Sequence, residues 1–173
     1  MTLEESRTGQ TPITLAELAR PGDKTTAEEA TKQKAKVQPK PRRERVLIID
    51  DDGARRALLN RTFREMGFIA IREAADSLDA LVYLAEHSYD LIVVDQRSTP
   101  VDGVHMVRRL RSMPDPTRRS TPVILVAPKG GFIELDDPDP VRIDAFIDSA
   151  VTVARLEEAI EKAHVHKRRM RKR

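Results

Sequence analysis

The side chains best placed to do chemistry in this sequence are carboxylates. Asp50-Asp51-Asp52 follows directly on the apolar run Val46-Leu47-Ile48-Ile49, and Asp95 follows directly on Leu91-Ile92-Val93-Val94. If both runs are strands of one parallel sheet, their carboxyl ends share an edge and three or four carboxylates converge in one cleft. Like charges that close raise each other's pKa unless a cation intervenes. A hard divalent ion such as Mg²⁺, bound by oxygen ligands and retained waters, answers that repulsion. It also lets one Asp act as a phosphoryl acceptor, because the metal neutralises charge during transfer. The plainer alternative is that Asp50 to Asp52 end a strand and cap the next helix. Two such acidic ends, each directly after an apolar run, favour a pocket.

The elements that must position these groups are legible from periodicity. Val46 to Ile49, Phe68 to Ile71, Leu91 to Val94, Val123 to Val126 and a shorter run at Ala145-Phe146-Ile147 read as strands, short and continuous as in a sheet buried on both faces. Between them, Leu58, Leu59, Phe63 and Met66 fall at helical spacing, with Gly67 as a stop. Asp76 or Ser77 can cap a helix carrying Leu78, Leu81 and Leu84. Val104, Val107 and Leu110 mark a third helix, and Val153, Leu156, Ile160 and Ala163 a last one. Strands alternating with helices imply βαβ units. The expected fold is α/β: a doubly wound, five-stranded parallel sheet, with its functional residues at the carboxyl ends of the strands.

The combination of Val-Leu-Ile-Ile-Asp-Asp-Asp at 46 to 52, Tyr-Asp-Leu-Ile-Val-Val-Asp at 89 to 95 and Asp102-Gly103 resembles the receiver domain of bacterial response regulators, the CheY-like family of flavodoxin-like folds. The resemblance covers about 120 residues. It implies that Asp50 and Asp51 are the acidic pair that binds Mg²⁺. Asp95 then takes a phosphoryl group from a histidine kinase or phosphotransfer protein, and the backbone carbonyl of Arg97 completes the metal site.

Several positions depart from that pattern. The family usually carries Thr or Ser at the end of strand four, where its hydroxyl contacts the phosphoryl group; here the residue is Ala127. After strand five the family has Lys then Pro; here Ser149 and Ala150 stand in those places, so the ammonium that would pair with phosphoryl oxygens is missing. Phe146 fits the aromatic switch position, although a plain core aromatic explains it equally well. Pro100 comes one position later than usual. Two prolines in Asp136-Asp137-Pro138-Asp139-Pro140 oppose a regular helix between strands four and five. Lys129, in a Gly-rich loop with Gly130-Gly131, is the one candidate to restore the missing cation. The resulting expectation is an atypical, stand-alone receiver in phosphorelay signalling. It would act mainly through an unidentified protein partner, with Asp95 the candidate phosphoacceptor, and it would not be an enzyme. No general acid/base histidine falls near the pocket, since His105 reads as a surface or packing residue.

Charge is distributed unevenly. Residues 1 to 45 carry +3, residues 46 to 160 carry −6 and residues 161 to 173 carry +6. The domain is expected to span 43–165. Before it, residues 1–42 read as a disordered extension, because too little apolar surface is available to offset ordering. A short helical motif at 14–19, with Thr14 and Glu17 at capping-box spacing, is its exception. After the domain, 166–173 form a basic tail that continues or frays from the last helix. It suits the helix dipole or an acidic partner, and a nucleic-acid backbone is the alternative partner. No helix-turn-helix or aromatic platform accompanies it to read bases. His164 and His166 lack acidic co-ligands. Cysteine is absent, which excludes disulfides and thiolate sites. An acidic N-terminus without an apolar core for a leader, and no span of about 18 apolar residues, lead to an expectation of a cytoplasmic protein.

Overall fold

The computed structural model describes residues 39 to 128 and 141 to 170, with side chains as far as Val165. The extension with its 14–19 motif, Lys129 with its Gly-rich loop, the proline-containing stretch to 140 and the side chains of the basic tail lie outside the described residues.

Five strands, β1 (Arg42–Ile49), β2 (Phe68–Ala74), β3 (Leu91–Asp95), β4 (Val123–Ala127) and β5 (Ala145–Asp148), form one sheet in the order β2-β1-β3-β4-β5. Every pairing is parallel. The helices are α1 (Gly53–Glu65), α2 (Ser77–Glu86), α3 (Gly103–Arg111), the single turn α4 (Pro116–Arg119) and α5 (Val153–Met170).

Alternate residues of the three central strands feed two separate cores, as a period of two requires. Val46 and Ile48, Leu91 and Val93, and Ile124 and Val126 pack with Leu59, Phe63, Leu156 and Ile160 under α1 and α5. Leu47 and Ile49, Ile92 and Val94, and Val123 and Leu125 pack with Ala80, Leu84, Met106, Val107 and Leu110 under α2 and α3. All twelve strand residues are fully buried, which is why these runs show no polar alternation.

Helix starts follow a shared device. Asp52, Asp76, Asp102 and Asp115 each accept backbone N–H bonds in the first turn of α1, α2, α3 and α4, satisfying donors that have no intrahelical partner. Just past the Met66 cap of α1 stands Gly67, whose φ of 90° is open to glycine at little cost.

Some expected details move. Leu58 and Leu78 face outward, 44% and 52% exposed. In α1 the buried stripe is Leu59, Thr62, Phe63 and Met66, and Thr62 is tolerated inside because its hydroxyl donates to the Leu58 carbonyl at 2.8 Å. In α5, Val153 is outward while Ala159 joins Leu156, Ile160 and Ala163 inside. Strands β1 and β2 run beyond their apolar cores, since ladder bonding needs backbone and not apolar side chains. Helix α5 continues to Met170, so the start of the basic tail is helical backbone.

At the amino edge of the sheet, remote from the carboxylates, Arg111 gathers several acceptors. Its guanidinium donates to the carbonyls of Arg119 (2.8 Å), Thr121 (2.7 Å) and Arg142 (3.2 Å) and pairs with Asp144 at 2.9 Å. Burial, with Arg142 adding repulsion, brings its pKa down to about 10 despite that partner.

Candidate functional site

The register fixes where the carboxylates fall. Ile49 pairs with Val94, so Asp50 and Asp95 leave adjacent strands at the same level. Each has the parity of the residues beneath α1 and α5. This is the switch point of the sheet, where β1 is flanked by β2 and β3 and the connecting helices diverge to opposite faces, the usual position of a cleft. Asp50 and Asp95 are buried, and Asp51 is exposed. One carboxylate oxygen from each of Asp50, Asp51 and Asp95 lies within 4.8 Å of the others. The structure thus brings together the three aspartates singled out in the sequence, and their hard, close-set oxygens fit a small divalent cation.

A fourth residue enters, one the sequence reading missed. Arg55 reaches back from α1 and grips Asp50 with both arms of its fork, Nε to Oδ2 at 2.5 Å and Nη2 to Oδ1 at 2.7 Å. The same Nη2 lies 2.9 Å from Asp95 Oδ2. Helical Cα–Cβ bonds tilt towards the N-terminus, so a long side chain three residues after the cap Asp52 leans over the strand ends. A signal was present: the first turn of α1 contains no acidic residue and two arginines, Arg55 and Arg56, against the usual preference for negative charge at a helix start. Arg56 is held separately, donating to the Asp50 carbonyl at 2.6 Å and pairing with Glu73 at 3.3 Å.

Burial raises the Asp95 carboxyl above the ordinary aspartate range, and the Asp50 and Asp51 charges add to this. Arg55 and the Arg97 N–H, which donates to Asp95 Oδ2 at 3.1 Å, act in the other direction. The Arg55 guanidinium is in turn held more firmly charged by its hydrogen bonds to Asp50.

The loop from Asp95 to α3 is pinned from two sides. Ser77, fully buried at the start of α2, donates to the Val101 carbonyl at 2.6 Å, lies 3.0 Å from that of Thr99 and accepts the Val101 N–H at 3.0 Å. Thr99 donates its hydroxyl to Asp51 at 3.0 Å. On the other side α3 abuts the end of β3. A Cβ on Gly103 would fall 2.3 Å from the Asp95 carbonyl oxygen, which accounts for glycine after the cap Asp102. His105 is exposed and contacts the Asp102 carboxylate, so it belongs to the capping of α3 and not to the pocket.

The positions expected to sense a phosphoryl group form the neighbouring strand ends. Ala127 closes β4, is buried, and pairs in register with Asp148 of β5. Ser149 and Ala150 follow, and the carboxylate of Asp148 is engaged by Arg155 of α5 at 2.5 and 2.6 Å. Phe146 is 49% exposed on the face opposite Ala145 and Ile147. The reading of Phe146 as a plain core aromatic is therefore wrong: β5 ends the sheet, and its outer alternation (buried, exposed, buried, exposed) leaves Phe146 on the surface.

The family model "Response regulator receiver domain" matches residues 46–161, and the chain belongs to that family. Relatives include the chemotaxis protein CheY-3 of Vibrio cholerae serotype O1, 25% identical over 118 residues, covering 68% of this chain and 89% of that one. Chemotaxis protein CheY of Pseudomonas aeruginosa is likewise 25% identical over 118 residues, covering 68% and 94%. Among solved structures, the N-terminal domain of a response regulator/sensory box/GGDEF protein of Carboxydothermus hydrogenoformans superposes with a TM-score of 0.64 at 15% identity, covering 73% of this chain and 99% of that one. The receiver domain of a sensor histidine kinase of P. aeruginosa, described with a magnesium ion coordinated in its active-site cleft, superposes with a TM-score of 0.59 at 18% identity, covering 70% and 97%. The chain is a CheY-like receiver of two-component signalling. Among the described residues no helix is long and apolar enough to cross a membrane.

Proposed function

We propose that this chain is an atypical receiver: a cytoplasmic signalling module and not an enzyme, which works mainly by binding a protein partner. In this reading its acidic pocket is only weakly coupled to phosphorylation. The observation that carries it is the chemistry at the ends of β4 and β5, where Ala127 and Ser149 stand in place of a hydroxyl and an ammonium. A ligand shifts a two-state element only through contacts that differ between the states. A phosphoryl group on Asp95 would meet no hydroxyl from Ala127 and no cation from Ser149 to draw those strand ends, or Phe146 beside them, towards it.

Asp95 remains the candidate phosphoacceptor. Mg²⁺, when bound by Asp50, Asp51, Asp95 and the Arg97 carbonyl, would supply charge neutralisation for the transfer. Asp95 is fixed for that role by the Arg97 N–H and by the close approach of Gly103. A histidine kinase or phosphotransfer protein is the partner class that the family implies.

The test is to incubate the full chain with Mg²⁺ and a small phosphodonor such as phosphoramidate, reading modification by intact mass and conformation by amide NMR. The proposal expects little or no phosphorylated Asp95, or a modification whose spectral changes stay within the Asp50–Asp95 pocket. Stoichiometric phosphorylation, absent in Asp95→Asn, with shifts spreading to Ala127 and Phe146 would overturn it.

A further inference from the structure

One guanidinium spans the two buried carboxylates at the centre of the pocket. Its contacts are 2.5 and 2.7 Å to Asp50 and 2.9 Å to Asp95, the bidentate, charge-assisted kind that ranks among the strong interactions of proteins. Both oxygens of Asp50 and Oδ2 of Asp95 are thus engaged by one cation, on buried carboxylates that belong to the three-aspartate cluster. A divalent ion drawing on the same carboxylates competes with the guanidinium for them. We propose that Arg55 is the resident cation of this pocket, and that a divalent ion gains Asp50 and Asp95 only by displacing it.

Three features of the surroundings support a displaceable internal cation over a permanent structural bridge. The Arg55 side chain is 21% exposed, so it has a path into solvent. The start of α1 does not depend on it: the cap is made by Asp52 through the N–H groups of Ala54 and Arg55, and Arg56 ties the same turn to the Asp50 carbonyl and to Glu73. Leaving the pocket would also move Arg55 away from the positive end of the helix dipole, a place where a cation is disfavoured. What holds it inward is the negative charge of the aspartates, and a bound divalent ion removes that attraction. The negative charge of the pocket is therefore partly compensated without metal, and metal occupancy becomes a matter of competition within the chain. The side chain of Arg55 reports it, inward when the metal is absent and outward when it is bound.

This inference rests on the receiver reading of the pocket, but not on the proposed loss of the phosphoryl switch. Its test uses the full chain, with Mg²⁺ alone as the probe. Wild type is expected to gain less in melting temperature from a given excess of Mg²⁺ than Arg55→Met does, because its ion must first displace a bound cation. Arg55→Met, which keeps the apolar stem and removes the charge, is expected to melt lower in EDTA and to be restored by Mg²⁺. It should bind the ion on the order of tenfold more tightly by calorimetry, the usual scale of coupling between two competing ligands. Equal Mg²⁺ affinity in the two proteins, or failure of both to bind, overturns the proposal.

A readout on the wild type needs no variant to fold. The Arg55 Nε–H resonance, assigned by its loss in Arg55→Lys, should be protected from solvent exchange in EDTA and lose protection at saturating Mg²⁺. Retention of protection at saturation would equally overturn it. Either failure leaves the phosphodonor experiment, and the reading it tests, untouched.

Discussion

At the scale of single residues, the site is a set of aspartates given different work by their surroundings. Asp50 and Asp95 are buried and face one guanidinium, Asp51 is exposed and takes the Thr99 hydroxyl, and Asp52 caps a helix. The two readings of the acidic run, cap or pocket, are both realised, divided between neighbours. Asp102 shows how such a charge is linked to stability. Burial acts to raise its pKa, yet the N–H and ring of His105, with the Val104 N–H, bring it below the ordinary value. Because the folded-state pKa is depressed, the charged form contributes stability above the unfolded value near 3.8, and the contribution is lost as pH falls through the folded value. Asp102→Asn keeps a good cap and deletes the charge. It should melt below wild type at pH 6 to 7, with the gap closing below about pH 4; melting curves across that range check it. The three pocket aspartates could be read from sequence because Asp50 and Asp95 each follow an unbroken apolar run and Asp51 comes directly after Asp50. Arg55 escaped, because nothing in spacing alone shows that a basic first-turn residue folds back over a sheet edge.

At the scale of elements, the pocket depends on how closely α3 and α2 hold the β3–α3 loop. Gly103 admits the Asp95 backbone where a Cβ would stand 2.3 Å from its carbonyl oxygen and 3.1 Å from the Gln96 Cα. Gly103→Ala should therefore cost about 1–3 kcal/mol, as overpacking does, measured by urea denaturation. It should also shift the Asp95 and Arg97 amides more than those of β5. Most elements were legible, because buried parallel strands and capped helices leave strong local marks. The misses have local reasons. Leu58 lost its inward place to Thr62, a residue whose hydroxyl can be satisfied by the preceding turn. The turn α4 was overlooked although Asp115-Pro116, a cap followed by proline at the first helical position, is a recognised start. Phe146 was placed no better than evenly between switch and core, because one short edge strand does not declare which of its faces is covered.

At the scale of the molecule, the sheet separates two jobs. Its carboxyl edge gathers negative charge around Arg55. Its amino edge is closed by Arg111, which serves three backbone carbonyls and Asp144 while Asp144 also accepts the Val123 N–H at 2.9 Å. Removing one partner of a buried pair leaves the other charge uncompensated. Arg111→Ala should lower stability by about 3–5 kcal/mol, read from chemical denaturation, while leaving the Asp50, Asp51 and Asp95 amides near their wild-type shifts. A collapse of the pocket spectrum in a still-folded variant would show that the two edges are not independent. The two cores, the parallel order and the acidic edge are those of the fold, and Ala127 and Ser149 lie at or just beyond the ends of β4 and β5.

The most direct test of the central claim is an amide NMR titration of the full chain with Mg²⁺ and then beryllofluoride, which mimics a phosphorylated carboxylate. It should be run beside the double variant Ala127→Thr with Ser149→Lys, which restores the missing hydroxyl and ammonium. The wild type is predicted to show changes confined to residues around Asp50, Asp51, Arg55 and Asp95, or none with beryllofluoride, while the double variant gains shifts that reach Phe146. A wild-type response that spreads from Asp95 through Ala127 to Phe146 would contradict the account, because the switch would then operate without the two groups held to be missing from it.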